Sequence, residues 1–109
     1  MFIRAYIYSC SSLESKNTFE ELIKSINEKI KTKKFIKNEL YWKDDSMYVV
    51  EVEIEFYEKL DEKNLKYFLN NISDKWLTFG DPIDEFLTSE TMENCKILIN
   101  NISMINVFY

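Results

Sequence analysis

Residues 1–8, MFIRAYIY, alternate so that Ile3, Ala5 and Ile7 share one face while Phe2, Arg4, Tyr6 and Tyr8 share the other. Period two with apolar side chains on both faces predicts a central strand over 2–8. The polar stretch SCSSLESKN follows. Thr18 and Glu21 then have capping-box spacing: the hydroxyl accepts from the amide near Glu21 and the carboxylate reaches back, which predicts a helix starting at 18. Phe19, Leu22, Ile23, Ile26 and Ile30 recur at helical spacing and carry this amphipathic helix over 18–32.

Two alternating runs next flank Asp44, Asp45 and Ser46, which predicts a hairpin with strands 35–43 and 47–57. Matching the apolar sets opposes Trp42 to Tyr48 and Leu40 to Val50. Ile36, Leu40, Trp42, Val50, Val52, Ile54 and Phe56 then face the core. Lys37, Glu39, Tyr41, Glu51, Glu53 and Glu55 take the other side, with Lys37 opposite Glu53. A second helix is expected over 61–72, with Asp61 as N-cap, Leu60 and Leu65 as a hydrophobic staple, and Leu65, Phe68, Leu69 and Ile72 as its buried stripe.

The last third contains the only Gly and Pro, in Gly80-Asp81-Pro82, among short apolar runs. These predict strands over 76–79, 83–88, 96–99 and 103–108. The resulting order reads as one α+β domain over 1–109. It is a mainly antiparallel single-layer sheet with two helices on one face, in the β-α-β-β-α-β order of split-βαβ or ferredoxin-like folds, plus extra C-terminal strands.

Composition narrows the function. A chain of 109 residues with 46% hydrophobic and 16% aromatic content has enough apolar surface for one core. The net charge of −5 opposes sequence-independent attraction to nucleic acid or anionic lipid. No apolar run reaches the roughly 18 residues that a membrane helix needs, so a soluble cytoplasmic protein is expected. Lysine outnumbers the single arginine and Asn and Ile abound, a bias of AT-rich coding that points to a low-GC bacterium or its phage.

Histidine is absent and glycine occurs once, which removes the commonest general base and any glycine-rich phosphate loop. Cys10 and Cys95 form neither a CxxC nor a Cys/His pattern, so no structural metal, cofactor or catalytic residue is expected. Glu51, Glu53 and Glu55 read as a solvated sheet face partly neutralised by Lys37 and Arg4. The lysines at 29, 31, 33, 34 and 37 read as complements to a helix C-terminus.

The asymmetry that points to function lies in residues 74–94. Asp74, Asp81, Asp84, Glu85, Glu90 and Glu93 stand against Lys75 alone; six acids and one base give −5, equal to the charge of the whole chain. Trp76, Phe79, Ile83, Phe86 and Met92 are interleaved among them. Aromatic anchors ringed by one sign of charge fit a specific interface with a basic protein, with Trp76, Phe79, Asp81, Asp84, Glu85, Phe86, Glu90 and Glu93 as the partner-binding residues. In size, acidity and α+β organisation the whole chain resembles the immunity proteins of bacterial polymorphic and contact-dependent toxin systems. That resemblance implies a non-catalytic inhibitor that binds a basic toxin, often a nuclease, and assigns no individual residue. A phage-encoded inhibitor of host defence shares the same charge logic. A small-ligand-binding or metabolic ferredoxin-like domain is the reading from a different class. Oligomeric state is left open by the pattern.

Overall fold

The computed structural model describes residues 1–109 as one open six-stranded antiparallel sheet with its helices on one face. In chain order the elements are β1 (Phe2–Tyr8), α1 (Ser12–Leu22), a 3₁₀ segment (Lys24–Lys29), β2 (Ile30–Tyr41), β3 (Asp44–Phe56), α2 (Glu62–Ile72), β4 (Leu77–Phe79), β5 (Glu85–Ser89) and β6 (Ile102–Phe108). The strands lie in the order β2-β3-β1-β6-β5-β4. Because β3 is antiparallel to both neighbours, β1 and β2 run parallel to each other on either side of it. The two additional strands come before the final strand, not after it as the linear pattern implied.

One face of the sheet carries the core. Ile3, Ala5 and Ile7 of β1 stand beside Val52 and Val50 of β3 and beside Val107, Ile105 and Ile102 of β6. Phe19, Leu22 and Ile23 of the first helical region and Leu65, Phe68, Leu69 and Ile72 of α2 close over them in a single buried cluster. The other face has no helix. It is a half-buried surface in which Phe2 meets Phe108 at 5.8 Å, Tyr6 meets Tyr41 at 5.1 Å, and Arg4 Nε donates to Glu51 at 2.6 Å.

Several expectations need correction. α1 begins at Ser12, six residues before Thr18: Ser11 is the N-cap and its hydroxyl accepts from the Glu14 amide at 3.1 Å. Thr18 sits inside the helix, donating to the Glu14 carbonyl at 3.2 Å. The helix stops at Leu22, tightens into the 3₁₀ segment, and gives way to strand at Ile30, so Ile30 pairs with Phe56 as a strand residue. The 3₁₀ repeat of three still lets Ile23 and Ile26 point inward.

The β2–β3 hairpin turns on Trp42 and Lys43, with Tyr41 opposite Asp44, not on residues 44–46. Leu40 therefore faces Tyr48, and Asn38 faces Val50. Register shifts near Ile30, Phe35 and Leu40 break the alternation, so Phe35 packs against the core while Ile36, Leu40 and Trp42 are exposed. Lys37 lies opposite Glu51, and Lys34 opposite Glu53. Val50, Val52 and Ile54 face the core as expected, with Phe56 packed at its margin.

Residues 96–99 do not form a strand; their only ladder contact is an isolated bridge from Ile97 to Ser73. Asn94 and Asn101 take left-handed backbone angles on either side of this stretch, bending it away from an extended path. Strands 76–79, 83–88 and 103–108 are present with shifts of one or two residues.

Candidate functional site

The segment 74–94 leaves α2, forms the β4–β5 hairpin and returns along the sheet. Its first anchor is set by the end of α2. The last carbonyls of a helix lack intrahelical donors, and that of Leu69 accepts from the Ser73 amide at 3.1 Å and from Trp76 Nε1 at 2.9 Å. The indole is thereby held half-buried against the helix, on the same side of the hairpin as Phe86. Ser73 anchors the next layer: its hydroxyl lies 2.7 Å from Thr88 Oγ1, which also donates to the Lys75 carbonyl at 2.8 Å.

Between α2 and the hairpin lies a groove of about 1100 Å³. Leu65, Leu69, Trp76 and Phe86 provide its apolar surface, with exposed Ile83 alongside. Its carboxylates are Asp61, Glu62, Asp74 and Asp84, against the ammonium groups of Lys59 and Lys66. Asp74 is partly committed to the fold, accepting from the Lys96 amide at 2.8 Å. Lys75, the one cation of the segment, donates to the Glu93 carbonyl at 2.8 Å. The β4–β5 turn depends on Gly80. Its φ of +99° is a left-handed value, and a Cβ there would run into the Asp84 carboxylate and the Pro82 carbonyl.

Of the eight residues singled out by sequence, the structure brings together Trp76, Asp84 and Phe86 in this groove. Phe79 and Glu85 are cross-strand partners whose register places them with Leu77 and Leu87 on the helix-free face. Phe79 is exposed, and Glu85 accepts from Asn106 Nδ2 at 3.2 Å. Asp81 is exposed in the turn. Glu90 and Glu93 lie beyond the far end of β5, where Glu90 accepts from the Tyr8 hydroxyl at 2.5 Å. That bond holds the Tyr8 phenol above its ordinary pKa, because ionisation would set two negative oxygens together.

The linear pattern missed the contribution of α2. Asp61 and Glu62 read as helix-start residues, and only the tertiary fold makes them line the same groove as Asp74 and Asp84. It also missed Trp42, which is 84% exposed at the β2–β3 turn with Lys43 Nζ 4.9 Å from its ring centroid. Three or more Asp, Glu or Cys side chains do not converge anywhere into a metal-binding group. No protein-family model, curated protein or solved structure matches the chain.

Proposed function

We propose that the protein is a non-catalytic inhibitor that binds a basic protein, in the manner of an immunity protein neutralising its toxin, through the groove between α2 and the β4–β5 hairpin. The observation that carries this reading is the groove itself, where an aromatic floor built by Trp76 and Phe86 meets a rim with twice as many carboxylates as ammonium groups. Acidic-on-basic complementarity raises the association rate and selects the partner, whereas burial of apolar anchors slows dissociation.

The test is capture from the native host on immobilised protein, with the retained chain identified by mass spectrometry and its binding measured against the double variant Glu62→Lys/Asp84→Lys. A basic protein should be retained, should bind more weakly as salt rises, and should lose about tenfold or more in association rate with the double variant. A partner that binds wild type and variant alike would show that the wrong acidic surface has been chosen. Hydrolase and nuclease panels with and without magnesium should be blank; turnover abolished by a single Asp or Glu substitution overturns the non-catalytic part.

One observation favours a second reading. The groove volume is close to the range of small-molecule sites, about 300–1,000 Å³, so a metabolite carried in the apolar cleft is the competing occupant. Native mass spectrometry of the purified protein separates the two, since a bound small molecule would appear as a discrete mass increment.

A further inference from the structure

The sheet is open, so it has two edges, and they are built differently. The β2 edge is twelve residues long, carries Lys31, Lys33, Lys34 and Lys37, and is interrupted by three register shifts. Charge and bulges of this kind block the addition of another strand. The β4 edge has neither device. Leu77, Thr78 and Phe79 are all exposed, none is charged, and the pairing with β5 runs through all three without a shift. On its outer side β4 has no neighbour, which leaves backbone donors and acceptors free to pair.

The two faces of that edge also differ. Leu77 and Phe79, 43% and 45% exposed, project on the helix-free side. Thr78 lines the groove together with Asp74 and Asp84. We infer that β4 receives an extended segment of the basic partner as a seventh strand, a mode of recognition that rests on the function proposed above and specifies it. The segment is amphipathic with period two. Its apolar side chains cover Leu77 and Phe79, and the intervening Lys or Arg side chains turn into the groove toward Asp74 and Asp84.

The probe is the blocked peptide Lys-Val-Lys-Val-Lys-Val, titrated into isotope-labelled protein and followed by NMR and amide exchange. Its controls are the Glu-Val counterpart and the same Lys-Val peptide methylated on alternate backbone nitrogens, which keeps the charge and removes strand pairing. The Lys-Val peptide should shift the amides of residues 77–79 and slow their exchange. The methylated peptide and the Thr78→Lys variant should each weaken binding by about tenfold or more. Equal binding of the methylated peptide would overturn strand addition and leave the acidic groove as the binding surface. Equal binding of the Glu-Val peptide would overturn the charge argument in both proposals. Shifts confined to other strands, or none up to millimolar peptide, would overturn strand addition alone, because capture of a basic partner and its loss in Glu62→Lys/Asp84→Lys are scored independently.

Discussion

The tip of the β2–β3 hairpin and the chain entering β4 each carry a tryptophan, and the two indoles have opposite surroundings. Trp42 lies over solvent between Tyr41, edge-on at 6.2 Å, and Lys43. Trp76 lies against α2, with its N–H on the Leu69 carbonyl. Alternation along the first hairpin assigns Trp42 to the core, yet it is the first residue of the turn, and a turn residue belongs to neither face of a strand. Trp76 is half-buried and held in place because it meets both requirements of an indole at once, an apolar wall and an acceptor. A polar handle that finds an orphan carbonyl decides the placement more firmly than the parity of a position does.

Removing the indoles is the sharpest test of that contrast. Trp76→Ala should cost about 3 kcal/mol in denaturant unfolding, by loss of buried area and of the bond to the helix end. Trp76→Phe should retain most of the packing and cost about 1 kcal/mol, the share of the hydrogen bond. A loss under about 0.5 kcal/mol for Trp76→Ala would mean that the groove floor is not structural. The opposite end of α2 is held by Asp61, whose carboxylate accepts from the Asn64 amide at 2.8 Å. Asp61→Ala should cost about 1 kcal/mol. Trp42→Ala should stay within about 0.5 kcal/mol of wild type. In the intact protein, acrylamide should quench Trp42 freely and Trp76 poorly, which Trp42→Phe isolates.

The smallest effect concerns the other end of the 74–94 segment. A tyrosine whose folded pKa is raised contributes stability that is fully present below its unfolded value, about 10, and is lost as pH rises through the folded value. Glu90→Gln should bring the Tyr8 pKa down toward the ordinary value, read from the ring signals by NMR. The stability difference between wild type and this variant should shrink in the alkaline range. An unchanged Tyr8 titration would exclude the bond to Glu90 in solution.

The elements that were legible in the linear pattern share one property: each signal has a single interpretation. α2 has one capping aspartate, one staple and one stripe, and Asp61, Leu60 and Leu65 behave as their positions predict. In α1 the capping-box spacing of Thr18 and Glu21 falls inside a helix that Ser11 caps. Its first two turns are concealed because the inward position there is Ser15. That residue is wholly buried, and its hydroxyl bonds the Ser12 carbonyl at 3.0 Å and Asn38 Oδ1 at 2.6 Å. A hydrophobic periodicity cannot register a buried serine that is satisfied by hydrogen bonds. In β2, each register shift resets the alternation, so Phe35 and not Ile36 reaches the core. The groove was half legible. Trp76, Asp84 and Phe86 come from one stretch of chain, whereas Asp61 and Glu62 reach it through α2, from a distance that no local window covers.

The sheet order also determines when the groove exists. β6, residues 102–108, lies between β1 and β5, so the β4–β5 hairpin joins the rest of the sheet only through it. During synthesis, β1, α1, β2 and β3 can assemble while the later residues are still being made. The β4–β5 hairpin can pair within itself, but it joins the β2-β3-β1 part of the sheet only after residues 102–108 emerge. The groove between α2 and this hairpin therefore takes its final shape only once residues 102–108 have paired on both sides.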